Sequence, residues 1–287
     1  MSNVNKRVIE ERVFKGIMLL SIGIVASIFL GMLAVIIVKG APGLSWEMLS
    51  QAPKGAYYSG QIHGGTLNSI LGSIYLALGA TFLAALISIP VVLFINVYLE
   101  KNSRLATFIR FSLDVLWGIP SIVYGAFGFI IMMFFQFRAS LLAGIITIAF
   151  LELPIMSRAA DGVLKMVPHD LKEVSFALGA TRWETAFKVV LRQAFPGILT
   201  ALLIALGRGI GDAAAVLFTT GYTDSLPSSL LRPVATLPLT VFFQLGTPFP
   251  QVQQRGYTAA LILMLVILLI SILSRVLTKS FYKHILR

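Results

Sequence analysis

Cysteine is missing from this chain altogether, and charge is scarce, at 12% of 287 residues. The first absence removes disulfides, thiolate metal sites and thiol chemistry together. The second stands beside 57% hydrophobic residues. So little charge cannot solvate a folded surface in water, and the chain belongs in a bilayer. Acidic residues are scarcest, 12 Asp and Glu against 23 Lys and Arg. Histidine is nearly absent too, and His63 has no companion at metal-ligand spacing. No Gly-Lys dipeptide occurs, which excludes a G-x-x-x-x-G-K-[ST] phosphate loop; neither H-E-x-x-H nor G-x-S-x-G is present. If ATP drives this protein, another chain binds it.

What is present is a set of long apolar runs. Six reach the length needed to cross about 30 Å of hydrocarbon: Gly16 to Val38, Leu67 to Leu99, Val115 to Phe137, Ala139 to Ser157, Ala194 to Thr223, and Gly256 to Ser274. Helices satisfy their own backbone there, so the expected fold is an all-α, six-helix integral membrane protein forming a single domain over residues 1–287. The first run lacks a small-residue cleavage signature and is read as a retained helix.

Basic residues set the orientation, because cytoplasmic loops keep Lys and Arg. With both termini inside, the inner side holds Lys6, Arg7, Arg12 and Lys15; Lys101, Arg104 and Arg110; the basic residues of segment 158–193; and Arg275, Lys279, Lys283 and Arg287. The outer side holds only Lys39, Lys54, Arg138, Arg232 and Arg255. The net charge of +11 is spread over four segments without an aromatic-studded basic face. That pattern suits anionic lipid headgroups and not nucleic acid.

Pro90, Pro120 and Pro154 interrupt the spans and predict either kinks that free carbonyls near a pathway or ordinary helix packing. The outer segments from about 38 to 66 and 222 to 255 read as loops with short interfacial helices. On the inner side, Pro168 and Asp170 suit a helix start over "HDLKEVSFAL", and Gly179 suits its end. Thr181-Arg182-Trp183-Glu184 is then a capping box opening a second helix. The bend exposes Ala180, Arg182 and Trp183 at a corner, with a tryptophan in the headgroup layer as the plainer reading.

Charges within the spans are the candidates for function. In "ALLIALGRGIGDAAAVLF", Arg208 and Asp212 stand four apart, on one helix face, among Gly207, Gly209 and Gly211. A charge at that depth costs at least about 2.5 kcal/mol on insertion scales, which argues for a role in passage over a neutralised structural pair. "GRGIGD" lies mid-span with no strand before it, so it is no nucleotide fingerprint. In "LELPIMSR", Glu152 precedes Pro154, and Arg158 reaches the inner end of the fourth run, either on the pathway or snorkelling to headgroups. Asp114 reads as a boundary carboxylate.

"EVSFALGATRWETAFKVVL", with Glu173 and Gly179 six apart and Val189 and Leu191 further on, resembles the EAA loop of ABC-transporter permeases. Around it, "GGTLNSILGS", "LWGIPSIVYGAF", "LELPIMSRAADGVLKMVP", "GRGIGDAAAVLFTTG" and "TLPLTVFF" are similar, in order from about 64 to 280, to the motifs of phosphate-importer permeases of the PstA type. Val174 and Ser175 depart from the two alanines of the EAA pattern, Arg192 stands where proline is usual, with Pro196 four residues on, and Asp212 replaces the usual glutamate. The resemblance implies a type I importer permease of the bacterial cytoplasmic membrane. Segment 158–193 would couple to an ATPase through Glu173, Gly179, Ala180, Thr181, Arg182, Trp183 and Glu184, and Arg158 and Arg208 would line phosphate passage. It further implies a second permease (PstC type), an ATPase dimer (PstB type) holding Mg-ATP, and an external phosphate-binding protein (PstS type), with no cofactor on this chain. Sulfate, molybdate or another oxyanion stays open as the cargo. A secondary anion transporter or channel stays open as the mechanism, although it would not need the helix–Gly–helix corner.

Overall fold

The computed structural model describes residues 2–56, 61–100 and 103–282. Lys101, Lys283 and Arg287, counted above as inner basic residues, lie outside them.

Long helices dominate: α1 (Ser2–Gly40), α3 (Leu67–Leu93), α6 (Leu141–Lys165), α9 (Leu191–Gly211) and α11 (Pro250–Tyr282). Each belongs to an apolar helical stretch long enough to cross a membrane. The expected third span is a correction. It is two helices, α4 (Arg104–Trp117) and α5 (Ser121–Phe134), bent by 97° across Gly118-Ile119-Pro120. Proline cannot donate to a helix and biases its predecessor away from helical angles, so the chain turns there. Counting this pair as one broken span gives six crossings, in agreement with the sequence.

Helices α3, α6 and α9 form the centre. Leu76, Ala80, Ile148, Met156, Ala205 and Val216 make one buried cluster, and Val92, Leu164, Val190, Ala194 and Ile198 another toward segment 158–193. Peripheral α1 is exposed along its apolar stretch, as a lipid-facing helix should be. It is tied to α11 at one end, where Thr258 Oγ1 donates to Gly40 O at 3.0 Å and the Lys39 ammonium lies 4.9 Å from the Tyr257 ring centre.

The fifth run does not stay helical to Thr223. Helix α9 stops at Gly211, and an irregular chain follows to Thr236. Non-helical backbone is tolerated at membrane depth only where protein satisfies it. Here Ser140 N donates to Thr219 O at 2.9 Å, Leu141 N to Arg232 O at 2.9 Å, and Asn68 Nδ2 to Thr223 O at 2.8 Å. Gly72 and Gly125 make room: a methyl at either would strike the carbonyls of Ala235 or Ala214 and Ala215.

The segment after it holds α10 (Leu237–Leu245), capped by Thr236. Its first turn is buried at Leu237 and Leu239, while Phe242 and Phe243 further along are exposed. The first outer segment carries the short α2 (Trp46–Ser50) and an antiparallel hairpin, β1 (Pro53–Ala56) with β2 (Gln61–Gly64), pairing Pro53 with Gly64. That hairpin qualifies the all-α expectation and places His63 on a strand.

Candidate functional site: two arginine cavities and a helical corner

Arg208 ends α9, and Asp212 lies beyond it. The expectation of two charges on one continuous helix face is therefore corrected. Asp212 has extended backbone, φ −84° and ψ 120°, and terminates the helix. Its Oδ1 accepts from Ala215 N at 2.8 Å, a side-chain bond that competes with helix propagation. The pairing itself is present, since Oδ2 lies 3.8 Å from Arg208 Nη2. Asp212 is buried while the Arg208 side chain is 54% exposed. Arg208 lines a cavity of about 230 Å³ walled by Leu116, Trp117, Leu151, Ile155 and Ile204.

A second cavity of about 400 Å³ adjoins the first, sharing Trp117, Ile155 and Ile204 and adding Arg158, Asp161 and Lys165. Helix α6 continues two turns beyond the expected end at Ser157, which places Arg158 inside it. Arg158 Nε bonds Asp114 Oδ1 of α4 at 2.7 Å, so Asp114 is a partner across helices and not only a boundary charge. Behind them Asp161 is buried and over-supplied with donors. Arg110 Nε and Nη2 reach it at 3.0 and 3.1 Å, Asn96 Nδ2 at 2.8 Å and Lys165 Nζ at 2.6 Å. Three cations against two carboxylates leave the cluster positive. Sequence spacing hints at Asp161 through Arg158 and Lys165, at i−3 and i+4, but Arg110 is 51 residues away and unreadable from it.

Removing Asp161 would leave Arg110, whose side chain is only 20% exposed, without its carboxylate. Breaking a buried pair from one side costs about 3–5 kcal/mol. Asp161→Ala is therefore expected to lose stability of that order, read as the unfolding midpoint in mixed micelles. A midpoint equal to the parent's would mean that solvent, not Asp161, balances Arg110.

Glu152 is fully buried and faces the Thr81 hydroxyl, with no well-formed hydrogen bond to either carboxylate oxygen among the described residues. It lies against α9 at Gly209, where a methyl would collide with Oε1. It therefore sits behind Arg208 and lines neither arginine cavity.

Segment 158–193 folds as helix, bend, helix. Helix α7 (His169–Ala177) is followed by α8 (Arg182–Glu184), which runs through a π-helical turn (Thr185–Val190) into α9. Gly179 has φ +83°. Ala180 N donates to Ser175 O at 3.1 Å and Gly179 N to Phe176 O at 2.9 Å, the paired closure of a Schellman motif. The capping box is complete: Thr181 Oγ1 accepts from Glu184 N, and Glu184 Oε2 accepts from Thr181 N.

Glu173 does not fix the bend. It accepts from His169 Nδ1 at 3.0 Å within α7, and the bond across the bend is Ser175 to Thr185, 2.8 Å and buried. Two cations tie the corner to the π-helical end of α3 (Phe94–Tyr98). Lys172 Nζ donates to Asn96 O at 3.0 Å and Arg182 Nη1 to Tyr98 O at 3.2 Å. Partial burial pulls the Lys172 ammonium below its usual pKa. Trp183 is 60% exposed with its ring 4.0 Å from that of Phe187. Leu178 is exposed as well, so the corner presents apolar surface that the described residues leave uncovered.

Residues 88–287 match the family described as binding-protein-dependent transport system inner membrane component. The phosphate transport system permease protein PstA of Yersinia pestis is 35% identical over 243 residues, covering 84% of this chain and 80% of that relative. The PstA of Haemophilus influenzae is 31% identical over 252 residues, covering 87% and 85%. Among solved structures, a chain of the inward-facing MetNI methionine ABC transporter superposes with a TM-score of 0.62 at 19% identity, covering 75% of this chain and 94% of that one. A chain of an amino acid ABC transporter superposes with a TM-score of 0.56 at 16% identity, covering 75% and 92%.

Proposed function

The chain belongs to the binding-protein-dependent transport system inner membrane components, and from that premise we propose that it is the permease subunit of an ATP-driven importer of inorganic phosphate. It is a multi-pass protein of the bacterial inner membrane and a transport subunit, like its relatives. The observation that carries the mechanism is Arg208, a half-exposed cation in an otherwise apolar cavity at the end of a membrane helix. A fixed guanidinium there offers a planar, multidentate donor to a passing oxyanion in place of its water. Arg158 offers the next positive station, with Arg110 and Lys165 holding its surroundings positive. Glu152 supports α9 behind Arg208 through its seat on Gly209. This chain supplies half of a passage. A second permease of the PstC type completes it, an external binding protein of the PstS type delivers phosphate, and an ATPase dimer of the PstB type, holding Mg-ATP, docks at Ala180, Arg182 and Trp183.

The test is co-purification of the assembled complex followed by ATP-dependent uptake of labelled phosphate into proteoliposomes. Uptake of sulfate in preference to phosphate would replace the cargo while keeping the machine.

Asp212 has the wrong sign for an anion site until protonation is considered. Phosphate near neutral pH still carries a P–OH and can donate a hydrogen bond through it to a carboxylate, whereas sulfate has none to give. Asp212 thus favours phosphate by repelling its competitor. Asp212→Asn keeps the oxygen that accepts from Ala215 N, so the turn should survive while the charge goes. The expected outcome is a lower ratio of phosphate to sulfate uptake. An unchanged ratio would leave Asp212 as a structural cap.

A further inference from the structure

The two arginine cavities adjoin, and the side chains common to both are apolar. Trp117, Ile155 and Ile204 line both, while Arg208 belongs to one and Arg158 to the other. Trp117 is the last residue of α4, immediately before the 97° bend into α5. Its helix end is held at two points. Tyr124 OH, from α5, donates to Leu116 O at 2.8 Å, and Asp114, one turn back, holds Arg158 at 2.7 Å. The indole therefore sits on a bent joint whose near side is tied to the inner cation.

We propose that Trp117, closing against Ile155 and Ile204, is the gate between an outer anion station at Arg208 and an inner one at Arg158. This rests on the phosphate-permease reading and adds to it the site where passage is interrupted. An apolar constriction blocks ions by excluding water, because an oxyanion entering it loses hydration and gains no donor. Arginine on either side lowers the anion's energy in both cavities without lowering it at the partition, so the barrier is confined to a few side chains. When the α4–α5 joint swings, the indole leaves, and the anion at Arg208 meets the cation pulled along by Asp114.

Trp117 and Ile204 are each more than half exposed in this chain, so truncating either removes little packing within it. In the complete complex reconstituted in proteoliposomes, Trp117→Ala is expected to pass labelled phosphate down its gradient without nucleotide at least about tenfold faster than the parent, the factor that about 1.4 kcal/mol off a barrier gives. ATP-driven accumulation should fall while ATP hydrolysis persists, and Trp117→Phe should stay tight. Ile204→Ala, read the same way, serves if Trp117→Ala does not assemble.

A chain without cysteine also permits a direct probe of access. Gly162 lines the inner cavity, and nothing lies within 4 Å of an added Cβ there. With nucleotide absent, Gly162→Cys should resist an impermeant thiol reagent applied at the binding-protein side and become reactive once Trp117→Ala is added. A parent complex that moves no phosphate with ATP would sink the functional reading. A parent that transports, with Trp117→Ala and Ile204→Ala both leak-free and Gly162→Cys still protected, overturns the gate.

Discussion

Arg208→Ala is expected to abolish phosphate uptake while the assembled complex continues to hydrolyse ATP. The guanidinium is half exposed to a cavity whose other walls are leucine, isoleucine and tryptophan, and the Asp212 carboxylate stands off at 3.8 Å. Its donors are therefore available to an anion and not spent on the fold. A hydrogen bond to a charged group is worth about 1.5–3 kcal/mol net, so losing even one lowers uptake roughly ten- to hundredfold. Losing a fork of several takes it below detection. Stability should change little, because a side chain this exposed carries little packing. Arg208→Lys keeps the charge but not the planar fork and should retain a small residual rate. The measurement is labelled-phosphate uptake and ATP hydrolysis in the same membranes at matched protein level. Parental uptake by Arg208→Ala would remove this residue from the pathway.

That Arg208 was readable from sequence, and Trp117 was not, has a physical origin. A charge within an apolar run stands out by composition, and so do the long apolar runs themselves. Hydropathy, however, carries no direction. It joined α4's end and α5 into one straight crossing, although Gly118-Ile119-Pro120 turns the chain by 97° and makes Trp117 a wall of both cavities. Composition also overran α9: Ala213 to Phe218 is as apolar as a helix, yet Asp212 spends its carboxylate on Ala215 N and the helix ends.

Local signals fared better. The Gly179 turn and the Thr181–Glu184 box each close within a few residues, so the sequence alone specified them. The bond that locks the bend joins Ser175 and Thr185, and two hydroxyls ten apart leave no pattern until the helices are docked. Asp161 shows the limit plainly, since its donors Asn96 and Arg110 come from 65 and 51 residues away.

Gly179→Val and Trp183→Ala are expected to leave the permease inserted and to lose the ATPase, or to uncouple hydrolysis from uptake. The corner has to be stiff and bent at once, and its stiffness is visible: a buried Ser175–Thr185 bond, a closed capping box, and Lys172 and Arg182 clamped onto the carbonyls of Asn96 and Tyr98. A push on the corner is thus delivered to the end of α3 and, through Asn96, to Asp161 and the arginines around it. Gly179 isolates the role of the bend. Nothing lies within 4 Å of an added Cβ there, so valine meets no clash and acts only through the positive φ. That conformation costs an L-residue roughly 1–2 kcal/mol, while asparagine visits it readily. Gly179→Asn should therefore couple normally where Gly179→Val does not. Trp183 tests the proposed docking surface, since a 60% exposed indole resting on Phe187 contributes little to this fold. An aromatic anchor of this kind is worth about 2 kcal/mol or more at an interface, enough to dissolve the complex on dilution. Crosslinking from position 183 to the ATPase is the deciding measurement. A position that never crosslinks, in a variant that still transports, would move the docking surface elsewhere on segment 158–193.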